Sequence, residues 1–379
     1  MVNSSQSEIK KRRFVTIVGT RPEIIRLSRI IPMLDEYFDH RLIHTGQNFT
    51  SSLSDVFFRD LALRCPDVNL EIPTSSLGKS LSALFVGVEE QLLAFKPQGI
   101  LILGDTNSAL TSILARRMGI PVYHLEAGNR SFDLNVPEEI NRRIIDHASD
   151  FNLVYSEHAR RNLLSEGLNP RFISLIGSPL QEVIKYYEND INESHVLNDL
   201  ALESKNFILV SIHRQENVDS KERLNQVVEM LNELAENFSE KIVLSLHPRT
   251  KDKLQNHKFE LNPTIILCEP FGFLDFCKLQ QEATLTISDS GSISEEAAIL
   301  GSKAITLRNS IERPEALEAG SIVLAGIGRF DFTALVNATL KLPQASKIPS
   351  EYEIDDTSIR VVKFVLSTIS EYKFWENLR

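Results

Sequence analysis

Short apolar runs alternate with amphipathic segments along most of the chain. The apolar runs predict strands at 14–18, 41–44, 99–103, 122–125, 151–155 and 173–176, and in a second series at 207–212, 241–246, 264–268, 285–288, 303–306 and 322–324. Apolar residues at helical spacing predict helices at 23–34, 79–95, 108–118 and 223–237. Strands that alternate with helices are typical of parallel sheets with both faces covered. The pattern therefore predicts an α/β protein with two doubly wound parallel sheets.

Turn residues separate the two series of strands. The turn Gly177-Ser-Pro179 predicts an N-terminal domain over residues 1–177 and a C-terminal domain over 178–356. Helical spacing predicts a last helix within 357–379, which we expect to pack on the first domain. Ligands of open parallel sheets bind beyond the carboxyl ends of the strands. With two such sheets, the cleft between the domains is the expected active site.

Composition narrows the class of protein. The 379 residues include 41 Lys and Arg against 51 Asp and Glu, which gives a net charge of −10 and argues against a nucleic-acid partner. Cys65, Cys268 and Cys277 form no paired motif, so we expect neither a disulfide framework nor a zinc knuckle, as fits a reducing cytoplasm. No apolar run approaches the ~18 residues of a membrane span, so no membrane partner is expected.

Polar turns follow the predicted strands of the first domain. In Gly19-Thr-Arg-Pro-Glu23, Pro22 favours a helix start, and Arg21 lies where free N–H groups attract anions. Arg21, with Arg26 one turn later, is therefore a candidate for diphosphate binding, although a solvated arginine in a tight turn also fits. The next turn, His44-Thr-Gly-Gln-Asn48, suits a hydrogen-bonded loop as well as a ligand contact.

Three carboxylates follow later strands of the same domain. Asp105 either caps the next helix or takes part in chemistry, and the sequence leaves both open. Glu126 ends a buried strand, where a carboxylate is costly unless it is paired or used, and Arg130 is a candidate partner. Glu138 opens a helix, a position that the helix dipole favours without any catalysis. Together the three form a plausible acid–base set.

The second domain offers cationic groups and a helix start. His213 and His247 each follow a predicted strand, and an arginine stands one residue after His213 and two residues after His247. The turn Ser290-Gly291-Ser292 leads from a strand directly into a helix, so its N–H groups can hold a phosphate. Glu295 or Glu296 is a candidate for ribose hydroxyls, and Arg313 offers a further cation.

Several common sites are missing from the sequence. There is no GxxxxGK[ST], GxGxxG, HExxH or GxSxG, and no Cys/His set for a metal. The remaining features are carboxylates in one domain and diphosphate-binding groups in the other. They indicate an enzyme of nucleotide sugars that uses side chains alone, without a metal or a cofactor.

At this point the chain resembles a known family. The motifs that carry the resemblance occur in order between about residues 14 and 330: Gly19-Thr-Arg-Pro-Glu23, His44-Thr-Gly-Gln47, Gly104-Asp-Thr106, His124-Leu-Glu-Ala-Gly128, Pro137-Glu-Glu-Ile-Asn-Arg142, Asp289-Ser-Gly291, Glu295-Glu296 and Arg313-Pro-Glu315. This ordered set resembles the non-hydrolysing UDP-N-acetylglucosamine 2-epimerases. The resemblance implies two Rossmann-like domains of the GT-B type, a UDP-sugar substrate and a homodimer.

The sequence departs from the family pattern at four places, and three of them point to one branch of the family. Arg26 stands where a lysine is usual, Asn48 replaces a histidine, Asn129 replaces the leucine of Gly-Leu-Arg, and 292–294 differ from the usual Gly-x-Gln. The variants at 48, 129 and 292–294 resemble the branch that makes UDP-N-acetyl-L-fucosamine from UDP-2-acetamido-2,6-dideoxy-L-talose for capsule or O-antigen synthesis. They leave UDP-N-acetylglucosamine as the alternative substrate.

The resemblance also implies roles for individual residues. It implies that Asp105, Glu126 and Glu138 form the acid–base and cation-stabilising set, and that His213 is the catalytic histidine near the diphosphate. The residues that match UDP-binding positions are Arg21, Arg26, His247, Ser290, Gly291, Ser292, Glu296 and Arg313. Other readings stay open: a GT-B glycosyltransferase, a non-catalytic sensor of nucleotide sugars, and a hydrolysing epimerase.

Overall fold

Two compact units make up the fold. This computed structural model describes residues 11–46, 58, 60–73, 75–328, 331–344 and 347–375. Unit 1 comprises Met1–Gly128, Leu134–Pro179 and Asp356–Arg379, and unit 2 comprises Asn129–Asp133 and Leu180–Asp355. Among the described residues, no helix combines the length and the apolar character needed to cross a bilayer.

Unit 1 is built on a seven-stranded parallel sheet. Its strands are β1 (Arg13–Val18), β2 (Asp39–His44), β3 (Val68–Asn69), β4 (Gly99–Leu103), β5 (Val122–Leu125), β6 (Phe151–Val154) and β7 (Ile173–Leu175). They pair in the order β3-β2-β1-β4-β5-β6-β7, so the chain switches direction across the sheet between β1 and β4. The turns after β1 and β4 therefore lie at a topological switch point, where ligands of such sheets bind.

Helices cover both faces of this sheet. They are α1 (Arg21–Leu27), α2 (Ile30–Tyr37), α3 (Leu77–Phe95), α4 (Ser112–Arg117), α5 (Pro137–Ala148), α6 (Glu157–Ser165), α17 (Thr357–Thr368) and α18 (Tyr372–Trp375), with 3-10 turns at Asn107–Thr111 and Pro170–Phe172. Helix α7 (Pro179–Tyr186) begins at the last residue of this stretch of unit 1 and otherwise belongs to unit 2. The last two helices follow unit 2 in the sequence. Helix α17 packs on α2, and the Tyr123 hydroxyl hydrogen-bonds that of Thr368 at 2.9 Å.

Unit 2 repeats the plan with six parallel strands. They are β8 (Phe207–Ile212), β9 (Lys241–Leu246), β10 (Ile266–Cys268), β11 (Leu285–Ser288), β12 (Ala304–Thr306) and β13 (Val323–Leu324), in the order β10-β9-β8-β11-β12-β13. Its helices are α8 (Glu188–Glu193), α9 (Val196–Asp199), α10 (Gln215–Val218), α11 (Lys221–Asn237), α12 (Pro248–His257), α13 (Phe273–Glu282), α14 (Ile293–Leu300), α15 (Pro314–Glu318) and α16 (Phe332–Lys341), with a 3-10 turn at Ser350–Tyr352. The switch point here lies between β8 and β11.

The fold class is α/β with two Rossmann-like parallel sheets, as the alternating pattern predicts. Three predicted helices need correction. The segment 23–34 is two helices, because the Ser28 N–H bonds to the Ile25 carbonyl and ends α1 there. The segment 108–118 begins as a 3-10 turn, and the last helix ends at Thr368 before the short α18. The two-residue strand β3 was too short to be predicted from periodicity.

Candidate active site

Three strand-end turns of unit 1 pack tightly against each other. The hydroxyls of Thr45 and Ser108 hydrogen-bond at 2.8 Å, next to Gly19. A Cβ at Gly19 would lie 2.0 Å from Ser108 Oγ and 2.7 Å from Thr45 Oγ1, so only glycine lets the turns after β1, β2 and β4 approach this closely. Gln47 and Asn48, which follow Thr45, lie outside the described residues.

Glu23 fixes the turn that carries Arg21. Its carboxylate accepts the Gly19 N–H at 2.6 Å and the Thr20 hydroxyl at 3.0 Å, which satisfies donors at the start of α1. Glu23 is buried, and burial raises its pKa to about 7 although these hydrogen bonds act to lower it. Burial also lowers the pKa of Arg21, the predicted diphosphate ligand. This turn therefore contains a partly buried cation and a buried acid.

Asp105 follows β4 and is held by an arginine of α5. Arg142 Nε and Nη2 lie 3.1 Å and 2.5 Å from Asp105 Oδ2, and Nη1 donates to Glu139 at 2.9 Å. The Asn141 amide donates to the Asp105 carbonyl at 2.9 Å. The Asp105 side chain is 26% exposed, whereas that of Arg142 is 4% exposed. The buried guanidinium thus fixes a carboxylate that still reaches solvent or a ligand.

Glu126 follows β5 in an unusual backbone conformation. Its φ of 67° is left-handed, which is strained for a residue with a side chain and is a common feature of functional sites. Arg26 Nε lies 3.7 Å from Glu126 Oε2, and the Arg26 guanidinium lies over the Tyr155 ring at 5.7 Å. Arg26, which the sequence predicts as a UDP ligand, therefore lies beside the Glu126 carboxylate of the same unit.

Two neighbouring glutamates at the start of α5 have different environments. Glu139 is fully buried and accepts hydrogen bonds from Arg142 at 2.9 Å and from Arg143 at 3.1 Å. Glu138 is half-buried, and its side chain makes no hydrogen bond or ion pair with any residue that the structure describes. Glu139 is thus a structural partner, while Glu138 keeps its carboxylate available for a proton.

In unit 2, Asp289 organises the loop that carries His213. This carboxylate is fully buried after β11 and accepts the backbone N–H groups of His213 at 3.1 Å and Arg214 at 2.9 Å. It also accepts the Asn217 amide at 3.0 Å, and the His213 Nδ1 lies 3.2 Å away. The His213 side chain remains 43% exposed. His213 is therefore held by its backbone and by one ring nitrogen, with the rest of the ring accessible.

His247 lies next to His213 at the end of β9. Its ring centroid is 6.4 Å from that of His213. The Nδ1 of His247 accepts the Arg249 N–H at 3.3 Å and so caps α12. The two predicted histidines are thus brought together at one sheet edge, beside the switch point of unit 2.

The turn Ser290-Gly291-Ser292 leads from β11 into α14. The Ser290 and Ser292 hydroxyls hydrogen-bond at 2.9 Å, and the Ser290 N–H donates to Ser288 Oγ at 3.0 Å. A Cβ at Gly291 would lie 2.9 Å from Glu312 Oε1, so any other residue here would displace that carboxylate. The first N–H groups of α14 follow this turn and suit a phosphate.

Arg313 and Glu296 are buried beside this turn. Arg313 donates to the Gly291 carbonyl at 3.3 Å, and its guanidinium lies 3.4 Å from Glu295 and 3.3 Å from Glu312. Glu296 accepts the Gln280 amide at 2.9 Å. In this structure both predicted UDP ligands therefore bind protein groups, and Arg313 ties the phosphate-suited turn to buried carboxylates.

Reasoning from the sequence missed the residues that hold this machinery in place. Arg142 and Asp289 lie within the recognised motifs, but nothing in the sequence marks which carboxylate Arg142 binds or that Asp289 accepts three N–H donors. The suggested Glu126 partner Arg130 donates to the Asn129 carbonyl at 2.8 Å. Within the described ranges, no group of three or more His, Cys, Asp or Glu is arranged to hold a metal ion.

Comparison with known proteins gives consistent matches. A family model described as UDP-N-acetylglucosamine 2-epimerase matches residues 33–366. The UDP-N-acetylglucosamine 2-epimerase of Methanocaldococcus jannaschii is 39% identical over 320 residues, which cover 82% of this chain and 87% of that protein. The UDP-2,3-diacetamido-2,3-dideoxy-D-glucuronate 2-epimerase of Pseudomonas aeruginosa is 33% identical over 323 residues, with 84% and 89% covered.

Solved structures match the same family of proteins. A UDP-N-acetylglucosamine 2-epimerase from Rickettsia bellii superposes with a TM-score of 0.88 at 38% identity, covering 96% of this chain and 98% of that one. The M. jannaschii enzyme in complex with UDP-GlcNAc and UDP has a TM-score of 0.88 at 35% identity, with 94% and 99% covered. The glycotransferase of kitacinnamycin, at 12% identity and a TM-score of 0.60 over 95% and 100%, shares the fold alone, which is of the GT-B type.

Proposed function

Since the chain belongs to the family of non-hydrolysing UDP-N-acetylglucosamine 2-epimerases, and is therefore an isomerase that inverts C2 of a UDP-sugar, we propose that its substrate is UDP-2-acetamido-2,6-dideoxy-L-talose. The product is then UDP-N-acetyl-L-fucosamine, a precursor made in the cytoplasm for capsule or O-antigen. The observation that supports this reaction chemistry is a pair of part-exposed carboxylates, Asp105 and Glu126. Each carboxylate follows the end of a strand and forms an ion pair with a buried arginine.

The reaction proceeds by elimination and re-addition. The C2 proton is not acidic, so the bond between C1 and the UDP oxygen breaks first, and its electron pair leaves with UDP. Loss of the C2 proton to a carboxylate then gives a 2-acetamidoglycal. Delivery of a proton to the opposite face of C2 and return of the UDP oxygen to C1 complete the inversion, so no atom is gained or lost overall.

Unit 1 supplies the groups for the sugar. Positive charge grows on the ring as the C1–O bond breaks, and carboxylates placed beforehand stabilise it. Asp105 and Glu126 fit this role, because Arg142 and Arg26 hold them in fixed positions. Glu138 fits proton transfer, because no described residue occupies its carboxylate.

Unit 2 supplies the groups for the leaving UDP. Negative charge grows on the diphosphate, and His213, His247 and the N–H groups at the start of α14 are suited to it. Ser290 and Ser292 add hydroxyl donors at the same turn. The structure of the M. jannaschii enzyme in complex with UDP-GlcNAc and UDP supports a UDP-sugar as the ligand class.

The assignment of the sugar rests on fewer positions of the sequence than the assignment of the reaction. Support for the 6-deoxy-L-talo substrate comes from the variants at Asn129 and at 292–294, which resemble the fucosamine branch. Asn129 is buried directly after Gly128, so it is a fixed part of the site loop. UDP-N-acetylglucosamine is the second candidate, because the M. jannaschii and R. bellii relatives carry that name.

NMR in D₂O decides between these candidates. The purified chain is offered the 6-deoxy-L-talo compound, UDP-N-acetylglucosamine and the 2,3-diacetamido glucuronate compound in parallel. We expect deuterium at C2 with inversion, fastest for the first. Faster turnover of either other sugar would overturn the substrate, whereas absence of C2 exchange with all three would overturn the reaction. A glycosyltransferase would give no C2 deuterium, and a hydrolysing epimerase would release free sugar and UDP.

We also propose a homodimer through the helices beside β1, β4 and β5. Val86 and Leu93 on α3 are 53% and 58% exposed, and Ile140 and Ile144 on α5 are 50% and 42% exposed. Both helices contact α4, so these apolar side chains belong to one helical layer. Light scattering should give a dimer for the wild type and a monomer for a Leu93→Ser, Ile144→Ser variant, with Leu366→Ser on α17 as the control. A monomeric wild type would refute the dimer.

A further inference from the structure

A buried histidine and aspartate link the turns that carry the two held carboxylates. His124 lies on β5 and Asp146 on α5, and both side chains are fully buried. His124 Nε2 donates to the Gly104 carbonyl at 2.8 Å, and Nδ1 lies 2.9 Å from Asp146 Oδ1. Both Asp146 oxygens lie 3.2 Å from the Gly128 N–H. The two side chains, in ion-pair contact with each other, form a polar bridge from Gly104 to Gly128.

This bridge ends on residues adjacent to the candidate catalytic groups. Gly104 directly precedes Asp105, and Gly128 follows Glu126 by two residues. Both glycines are left-handed, with φ of 70° and 80°. Because glycine has many accessible conformations, the hydrogen bonds to Gly104 and Gly128 help to select this one. Glu126, between the ends of the bridge, is itself left-handed. A bridge at these two points therefore fixes the direction of both carboxylates.

The bridge also involves the helix that holds Asp105. Asp146 stands one helical turn after Arg142 on α5, and Arg142 binds Asp105. Asp105 is thus fixed twice, through its side chain by Arg142 and through Gly104 by His124. A buried histidine and carboxylate are costly to desolvate, and here their hydrogen-bonding capacity is directed at two site turns.

We infer that His124 and Asp146 are positioning residues for the epimerisation, which act by holding the Gly104 and Gly128 turns so that Asp105 and Glu126 face the sugar. The inference rests on the proposed function, because it assigns the pair to the sugar chemistry and leaves nucleotide binding to unit 2. Neither residue needs to contact the substrate. We therefore expect substitution of either residue to lower kcat and to leave the affinity for UDP unchanged.

Unit 1 offers a matched control at the opposite ends of its strands. The His40 side chain is also fully buried, with Nδ1 2.6 Å from Asp35, whose side chain is 31% exposed, and Nε2 2.8 Å from the Thr16 hydroxyl. It lies near the amino end of β2, paired with Phe14, whereas the candidate catalytic groups follow the carboxyl ends of strands. His40→Gln therefore removes a similar buried bridge without touching either site turn.

The test compares His124→Gln and Asp146→Asn with His40→Gln. We expect kcat for C2 deuterium exchange to fall about 10²-fold in the first two, because a small misplacement of reacting groups costs that much. The dissociation constant of UDP, measured by calorimetry, should stay within about twofold in all three, and His40→Gln should keep kcat within about twofold. Thermal unfolding of each variant reports on stability separately.

Three outcomes would overturn the inference. They are an unchanged kcat in His124→Gln and Asp146→Asn, an equal fall of kcat in His40→Gln, and a loss confined to UDP affinity. If both test variants fail to fold while His40→Gln folds, stability alone explains the pair and the inference also fails. Wild-type protein without C2 exchange on any of the three sugars would instead refute the proposed function, so the two failures are distinguishable.

Discussion

The two sheet edges use paired charges in opposite ways. In unit 1 the buried member of each pair is an arginine, and the more exposed member is a carboxylate: 4% against 26% for Arg142 and Asp105, and 5% against 15% for Arg26 and Glu126. In unit 2 the buried member is the carboxylate of Asp289, and the exposed member is His213, at 0% against 43%.

The accessible partner determines which charge each edge can stabilise. Unit 1 presents acids to a ligand and suits a sugar that becomes positive. Unit 2 presents a histidine and helix N–H groups and suits a diphosphate that becomes negative. The buried partners, Arg142 and Asp289, bind Asp105 and the His213 loop, so their proposed role is to orient these candidate groups. The following predictions either test this division or refine it.

Asp105→Asn and Glu126→Gln should have the largest effect. Each removes a negative charge that stabilises the ring, so we expect kcat to fall by ~10²–10³. UDP affinity should stay nearly unchanged, because the proposed role of both carboxylates is at the sugar and not at the diphosphate. Steady-state C2 exchange by NMR and calorimetry with UDP separate the two quantities. Glu36→Gln, on the exposed face of α2, is the neutral control. A large loss of UDP affinity in the Asp105 variant would contradict the proposed division of roles between the two units.

Asp289→Asn should weaken UDP binding by about tenfold and lower the free energy of unfolding by about 1–3 kcal/mol. The amide places an N–H₂ among three donors, so the His213 loop loses an acceptor. Calorimetry and urea denaturation measure both effects. Asp331→Asn is the matched control, since Asp331 also accepts a backbone N–H, that of Ala334, at a helix start on unit 2. Equal effects in both variants would contradict a special role for Asp289.

Glu23→Gln should change how stability depends on pH. Burial raises the pKa of Glu23 to about 7 from an ordinary 4.5, so the folded protein binds this proton more tightly than the unfolded chain. Wild-type stability therefore falls as the pH rises from about 4.5 to 7, by up to about 3 kcal/mol for this group. The variant, permanently neutral, should lack that part of the decline. Denaturation from pH 4.5 to 8, with Glu36→Gln as control, measures it. Parallel curves would refute the shift.

Arg64→Met should have the smallest effect, and it probes the amino ends of the same strands. Although burial raises the pKa of Asp35, hydrogen bonds from His40 and Arg64 lower it to about 2. This stabilisation is present above the ordinary pKa of 3.8 and is lost as the pH falls toward 2. The pair is about a third exposed, so we expect a loss under ~1 kcal/mol at pH 7 that shrinks near pH 2, with kcat unchanged. A change in kcat would mean that this end affects catalysis.

The sequence predicts strands better than helix boundaries. The bounds of β4, β5, β8, β9 and β11 are as predicted, because short apolar runs there end at Gly, Pro or polar turns. Helices α1 and α2 were predicted as one, since apolar spacing continues across Ser28 while a local backbone bond ends α1. The segment Asn129–Asp133 groups with unit 2, and nothing in the sequence indicates that it leaves unit 1.

The site shows a similar limit. The sequence marks Asp105, Glu126 and His213 as candidates because polar residues after buried strands are conspicuous. Their partners could not be predicted, because which side chains meet across adjacent strands depends on register and helix docking. His124 illustrates this, since nothing in its motif shows that it reaches both the Gly104 carbonyl and an aspartate on α5.

The return of the chain to unit 1 has a consequence for protein synthesis. Helix α17 packs on α2, and Tyr123 bonds Thr368, yet these C-terminal residues leave the ribosome after all of unit 2. Unit 2 is therefore complete as a sequence while unit 1 still lacks a cover for the aromatic face around Tyr123 and Phe151. We expect the unit that begins later in translation to finish folding first, and the nascent N-terminal half to need protection from aggregation until release.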